Sequence, residues 1–179
     1  MVLEALRKQL RYFAGRQIRN VASLAGNIAT ASPISDANPV LLAAGATLEA
    51  VNKKDGRFDI PMSEVFAAYR TTSLLPDAVL HRIRIPLALS DSREVLKAYK
   101  QAKRKDDDIA IVTAAFRVRL NADDVVQGIC LVYGGMGPMT KESPNAQNAL
   151  LGKRWFSSET LEVALSLSLI HISEPTRPY

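Results

Sequence analysis

The sequence has few residues that bind metals or form cross-links: its 179 residues include one cysteine, Cys130, and two histidines. One cysteine excludes a disulfide within the chain and is too few for an iron–sulfur cluster, which is held by about four thiolates. His81 and His171 lie in no Cys/His cluster, so we expect no metal site. A lone thiol, which we expect to be buried and inert, fits a reducing compartment. We therefore expect a cytoplasmic protein, with peroxisomes as the alternative location.

Long hydrophobic runs are lacking too. No apolar stretch reaches the roughly 18 residues that span a bilayer, and the first fifteen residues carry charges in every turn, unlike a signal peptide. A hydrophobic fraction of 47% and a charged fraction of 23% are typical of a globular domain. The net charge of +5 suits an anionic partner such as a nucleotide phosphate. Scattered surface charge explains it equally well, because the basic run 103–105 is followed by the acidic run 106–108.

Hydrophobic periodicity predicts an α+β fold with strands in hairpins. Leu3, Leu6 and Leu10 recur at helical spacing, and Gly15 ends this first helix. Further helices are predicted at 41–43, 62–69, 144–151 and 158–167. Strands are predicted at 47–51, 57–60, 79–85, 114–120 and 125–133, the last apolar on both faces and therefore central. His81 is predicted on the apolar face of its strand, and a domain boundary is placed at 87–92.

The stretch RQIRNVASLAGNIATASPISDANP, residues 16–39, has no regular period and is rich in small polar residues. We predict a long ordered loop, and such loops often carry function. Ser23, Gly26, Asn27 and Thr30 would place hydroxyl and amide groups on a backbone that approaches a ligand closely. The stretch contains neither a GxGxxG motif nor a P-loop. On composition alone, a packed loop that binds no ligand is therefore the stronger alternative.

Three further residues each have two interpretations. Lys100 begins a dense charge run, residues 100–108, that is most simply a solvated turn. It could instead present a positive charge to a flavin ring, where an anionic reduced form develops. Phe13 fits either the core or a ring-stacking position, and Tyr69 fits either the surface or a stacking platform.

Five stretches, in the same order, resemble the flavin domain of the xanthine dehydrogenase family of molybdenum hydroxylases. The resemblance covers about residues 1–165 and implies two lobes. Residues 1–87 would be the second lobe of a PCMH-type FAD-binding domain, and residues 92–165 a small lobe like the C-terminal domain of carbon monoxide dehydrogenase flavoproteins. The stretches are FAG (13–15), the segment 16–39, AYRTTSLLPDAVLHRIRIP (68–86), AYKQAKRKDDDIAIVTAAFRV (98–118) and LVYGGMGPMT (131–140).

The resemblance also implies which residues bind cofactors. Tyr69 and Asp107 fall where the family holds the nicotinamide dinucleotide. The stretch 101–111 resembles a mobile loop beside the isoalloxazine ring, whose acidic residues influence whether the oxidant is NAD or oxygen. No catalytic residue and no metal ligand is implied on this chain. The residues implied to bind FAD are Phe13, Ser23, Gly26, Asn27, Thr30, Asp36, Leu80 and Lys100.

The implied function is electron transfer through FAD in a larger, homodimeric enzyme. A purine would be hydroxylated at molybdopterin, iron–sulfur clusters would carry the electrons to FAD, and FADH₂ would reduce NAD⁺. The first flavin lobe and the iron–sulfur and molybdopterin domains are expected outside this chain, so alone it should bind FAD weakly and catalyse nothing. Two alternatives stay open: a relative such as an aldehyde oxidase or carbon monoxide dehydrogenase flavin subunit, and a non-catalytic interaction module.

The last residues depart from the family pattern. The stretch 166–179, SLSLIHISEPTRPY, has two prolines and no helical period after Ile170. Its part LIHISEPTRPY resembles the conceptual translation of a sequencing-library adapter. We therefore expect a non-native or disordered tail.

Overall fold

The computed structural model describes residues 1–87, 93–105 and 107–172, with side chains described as far as Leu167. Its first element is the predicted amphipathic helix, α1 (Val2–Leu10), which buries Val2, Leu6 and Gln9 against the core. The predicted end at Gly15 is too late, because the chain leaves the helix at Arg11 and continues as a turn. The guanidinium of Arg19 donates to the backbone oxygens of Phe13 at 2.7 Å and Arg11 at 3.4 Å. These bonds hold the turn that follows α1 against the next helix, which carries Arg19.

The predicted long loop is wrong in its first half, because two short helices form there: α2 (Arg16–Val21) and α3 (Leu24–Ala29). Ser23 caps α3, and its Oγ accepts from the N–H of Gly26 at 3.0 Å. Ile28 is fully buried and anchors α3 to the core. Helices this short have too few apolar residues for a clear period, which explains the missed assignment.

The next elements match the prediction. Helix α4 (Asn38–Ala43) is followed by the hairpin of β1 (Thr47–Asn52) and β2 (Gly56–Pro61). In its turn the N–H of Asp55 donates to Oδ1 of Asn52 at 2.6 Å. After two short strands, β3 (Phe66–Ala68) and β4 (Thr71–Thr72), strand β5 (Val79–Arg84) pairs antiparallel with the other edge of β1.

The predicted helix at 62–69 is wrong. A single 3₁₀ turn, Met62–Glu64, leads into β3 (Phe66–Ala68), which pairs with β4 (Thr71–Thr72). Arg70 turns this small hairpin with φ +52°. The burial of Val65 and Phe66 at the start of β3 fixes it against the core, so tertiary packing overrides the helical spacing of the sequence.

In the second sheet the strands are antiparallel, and they lie side by side in the order β6-β7-β8-β9. Its strands β7 (Ala110–Leu120) and β8 (Val126–Gly134) were predicted, whereas β6 (Arg93–Ala102) was not. Strand β6 was missed because charged residues interrupt its hydrophobic pattern. Its buried hydrophobic residues are Leu96 and Ala98. Strand β8 lies between β7 and the two-residue β9 (Lys141–Glu142).

Helices α5 (Pro144–Leu150) and α6 (Ser158–Ile172) follow, as predicted, with α6 extending five residues beyond its expected end at Leu167. Residues 173–179 of the expected tail lie outside the described residues, as does most of the expected domain boundary, residues 88–92. The tail and the boundary stay predictions.

One hydrophobic core joins the two sheets. It contains Leu41 of α4, Leu48 of β1, and Ala115 and Val132 of the second sheet. A smaller cluster around Leu131 packs the far side of the second sheet against α5 and α6. The α+β prediction is confirmed. Among the described helices, none is both long enough and apolar enough to cross a membrane.

Candidate functional site

An open cavity of about 570 Å³ lies where α3 and the segment after it face the β6–β7 loop. Seven of the ten residues assigned from the resemblance line it, although they span the chain from Phe13 to Asp107. These seven are Phe13, Ser23, Gly26, Asn27, Thr30, Asp36 and Asp107.

The wall formed by α3 presents polar groups with defined roles. Ser23 Oγ accepts the N–H of Gly26 at 3.0 Å, so its own hydrogen remains for a ligand. Thr30 uses its hydrogen differently, donating from Oγ1 to the carbonyl of Gly26 at 2.7 Å. A Cβ at Gly26 would come within 2.9 Å of Ser23 Oγ. Glycine therefore leaves room for the Ser23 hydroxyl to cap α3.

A buried ion pair joins Asp36, which lines the cavity, to Lys100, which does not. The Nζ of Lys100 is 3.2 Å from each carboxylate oxygen of Asp36, and both side chains are 7% exposed. Lys100 also donates to the carbonyl of Tyr12 at 2.6 Å, and Gln9 Nε2 donates to Asp36 at 3.2 Å. Burial raises the pKa of Asp36, although Lys100 and Gln9 act in the opposite direction. Lys100 is thus a buried strand residue, and the solvated-turn interpretation is wrong for it.

The opposite wall is acidic and comes from the β6–β7 loop. Asp107 and Asp108 line it, followed by Ile109 and Ala110. The N–H of Arg104 donates to Asp108 at 2.7 Å and the N–H of Ile109 at 2.9 Å. These hydrogen bonds, the one from Arg104 foremost, lower the pKa of Asp108 and keep it ionised.

Unusual backbone conformations cluster around the cavity. Ala14, Arg70 and Asp107 all line it and have φ values of +44°, +52° and +50°. Residues other than glycine seldom adopt this left-handed region, and such strain concentrates at functional sites.

Two glycines allow the segment after α3, which lines the cavity, to pack closely against the second sheet. The N–H of Gly135 donates to the carbonyl of Pro33 at 2.7 Å. A Cβ at Gly134 would lie 2.9 Å from that same carbonyl, and one at Gly135 would overlap the carbonyl of Ile111. The segment after α3 can approach the second sheet this closely only because both residues lack a side chain.

Three assigned residues do not line the cavity. Lys100 lies behind it, Leu80 packs on the core from β5, and Tyr69 is 61% exposed beside Arg70. The resemblance did not assign several residues that do line it. Ser32 and Ser35 belong to the small polar segment, which was a usable signal. The other unassigned lining residues lie in stretches that the resemblance covers, but it gave none of them an individual role: Ala14, Ala22, Ile34, Arg70, Asp108, Ile109 and Ala110.

Two other expectations concern residues away from the cavity. His81 was predicted on an apolar face, but its Nδ1 lies 2.9 Å from Oε1 of Glu49. That contact, helped by Arg82 and Arg57, lowers the pKa of Glu49. Cys130 is partly buried, and burial raises its pKa to about 12. No cluster of metal-binding side chains occurs within the part of the chain that the structure describes.

Comparisons with known proteins agree with this architecture. Residues 1–88 match the family model of the FAD binding domain in molybdopterin dehydrogenase. Residues 97–178 match that of the CO dehydrogenase flavoprotein C-terminal domain. A carbon monoxide dehydrogenase structure from Hydrogenophaga pseudoflava superposes with a TM-score of 0.87 at 24% identity, covering 98% of this chain and 59% of that one. At that identity the match shows the fold alone.

Sequence relatives are closer. Xanthine dehydrogenase of Emericella nidulans is 56% identical over 158 residues, which is 88% of this chain and 11% of that protein. The nicotinate hydroxylase of the same organism is 54% identical over 167 residues, or 92% of this chain and 12% of that protein. The chain therefore spans about a tenth of the length of these relatives. It belongs to the xanthine dehydrogenase family of molybdenum hydroxylases and carries that family's FAD-binding region.

Proposed function

We propose that the cavity binds FAD and that the chain serves as the flavin-holding segment of a larger molybdenum hydroxylase. One observation carries this proposal: seven residues chosen by resemblance, six of them between positions 13 and 36 and the seventh Asp107, line a single cavity. Its small-residue wall lies within the part of the chain that matches an FAD-binding family model, and its acidic loop lies within the part that matches the CO dehydrogenase flavoprotein C-terminal domain.

The donors on the wall fit this cofactor. The free hydrogen of Ser23 suits the oxygens of a pyrophosphate, and Gly26 lets such a group come close to the backbone. Phe13 offers an apolar ring at the cavity edge. When bound, FAD would accept and release electrons, while the residues of this chain orient it and set the charge around it.

We further propose that a nicotinamide dinucleotide is the electron acceptor and that Tyr69 and Asp107 help to hold it. Tyr69 is 61% exposed and stands next to Arg70, which lines the cavity with Asp107. An exposed aromatic ring beside a flavin cavity is a suitable platform for a second ring system.

The rest of the enzyme follows from the family and belongs to the same proposal. Molybdopterin and iron–sulfur domains would lie elsewhere in the parent, which we take to be a homodimer of the cytoplasm or peroxisomes. A purine is the proposed substrate. Nicotinate is the second candidate, because the nicotinate hydroxylase is almost as similar to this chain as the xanthine dehydrogenase.

The test uses the full-length enzyme that carries this segment, with the substitution Ser23→Asp. Aspartate is as good a helix cap as serine, so α3 should persist, but its charge would repel a phosphate. We expect the purified variant to keep its iron–sulfur absorbance and lose most of its FAD. Ser158→Asp, at the exposed start of α6, is the matched control. Full FAD content in Ser23→Asp would favour the non-catalytic interaction module.

A further inference from the structure

We propose that Ser35 is a positioning residue that fixes the carboxamide of Asn27 with its Nδ2–H₂ group toward the cavity. The inference rests on the proposed function, because it concerns how the cavity recognises the phosphate oxygens of FAD. Ser35 joins two elements that the sequence separates. Its side chain lies between the start of α4 and Asn27 of α3, and the residue is 4% exposed.

The hydroxyl of Ser35 has a single arrangement that satisfies all its neighbours. The backbone N–H groups of Ala37 and Asn38 donate to Oγ, at 3.2 Å and 3.1 Å. A hydroxyl has two acceptor sites and one hydrogen. With both acceptor sites engaged, the hydrogen is donated to Oδ1 of Asn27, 2.6 Å away.

The opposite orientation of the amide is disfavoured. If Nδ2 of Asn27 faced Ser35, three donors would converge on one oxygen, and the hydroxyl hydrogen would lose its acceptor. An unsatisfied buried group of this kind is costly. The backbone that carries this hydroxyl is fixed as well, because the N–H of Ser35 donates to the carbonyl of Ser32 at 3.2 Å and its own carbonyl accepts from Thr113 at 3.3 Å.

The consequence concerns what the cavity recognises. Asn27 lines the cavity, so a carboxamide tied down through Oδ1 presents a hydrogen-bond donor to the ligand. Ser23 lies one turn earlier on the same side of α3 and also has a free hydrogen. Two adjacent hydrogen-bond donors favour a ligand rich in acceptor oxygens, such as a phosphate. They disfavour a ligand that presents hydrogen-bond donors to this wall.

Two sets of variants test this in the full-length enzyme, with FAD rebinding to the deflavinated protein as the readout. In the first set, Asn27→Asp keeps the contact to Ser35 but replaces the donor by a charged acceptor. We expect it to weaken FAD binding at least about tenfold more than Asn27→Ala, since like charges then meet. Asn148→Asp, on the exposed side of α5, is the charge-matched control.

The second set is a double-mutant cycle of Ser35→Ala and Asn27→Ala. Ser35→Ala alone should weaken FAD binding about tenfold, because the amide can then turn. In the Asn27→Ala background the same change should have little further effect. A residue that merely caps α4 would weaken binding equally in both backgrounds, which would overturn the positioning role.

The outcomes separate this inference from the proposed function. If neither Asn27 variant changes FAD affinity, the cavity is not the flavin site and both ideas fail. If Asn27→Ala weakens binding while Ser35→Ala acts additively, or if Asn27→Asp binds as well as the wild type, the inference on Ser35 fails alone.

Discussion

Lys100 and Asp36 form a buried ion pair across 64 residues of sequence, with Nζ 3.2 Å from each carboxylate oxygen. The pair joins β6 to the segment before α4, and Gln9 of α1 holds the same carboxylate. Both charged groups were assigned to FAD by resemblance, yet they bind each other: Asp36 lines the cavity, and Lys100 does not line it. Their first effect is therefore to hold the wall in place.

Removing one member of this pair should be costly, whereas removing both should not. Lys100→Met or Asp36→Asn alone leaves a buried charge without its partner, and each should lower the free energy of unfolding by about 3 kcal/mol. The double variant should recover most of that loss. Urea unfolding of the chain, followed by the fluorescence of Trp155, its single tryptophan, measures the three values. Additive losses in the double variant would contradict the pairing.

The acidic loop should tune the bound flavin. Asp107 places a negative charge at the cavity, which disfavours an anionic reduced flavin. Asp107→Asn should therefore raise the midpoint potential in the full-length enzyme. A screened interaction of about 1 kcal/mol corresponds to about 20 mV for a two-electron couple. Spectroelectrochemical titration measures the shift, with Asp123→Asn, on the exposed turn after β7, as the control. An unchanged or lower potential would refute this electrostatic role.

Glycine 135 should tolerate no side chain. Its φ is +83°, and a Cβ there would overlap the carbonyl of Ile111 and disturb the bond to Pro33. Gly135→Ala should destabilise the chain by about 3 kcal/mol, combining overpacking with backbone strain. Gly137→Ala is the matched control, since its added Cβ would meet nothing within 4 Å. Equal urea midpoints for the two variants would show that the close approach does not exist in solution.

Cys130 should be almost unreactive in the folded chain. Burial raises its pKa to about 12, so near pH 8 the reactive thiolate is scarce. Alkylation by iodoacetamide at pH 8 should be at least about 100-fold slower than in urea. Because the folded pKa is raised, the thiol's contribution to stability is complete below the usual value of 9.0 and is lost as the pH rises toward 12. Rapid labelling of the folded chain would contradict the burial of this thiol.

Elements whose neighbours in sequence are also their neighbours in space were predictable. The spacing of Leu3, Leu6 and Leu10 predicted helix α1, and the Asp55-Gly56 turn predicted the β1–β2 hairpin. Strand β6 was not predicted, because charged residues interrupt the alternation of apolar and polar residues. Its pairing with β7 makes it a strand. The helix predicted at 62–69 failed for the opposite reason, since burial of Phe66 outweighs local spacing.

The candidate site divides in the same way. The sequence by itself determined the chemistry of the wall: small, hydroxyl and amide residues from Ser23 to Asp36, recognisable because local composition and motif order persist in the linear chain. Only the tertiary structure decided that Lys100 faces Asp36 and that Arg70 and Asp107 line the same cavity as Asn27. Such contacts depend on strand register and on close backbone approach at Gly134 and Gly135. Both arise from long-range packing, which no local pattern encodes.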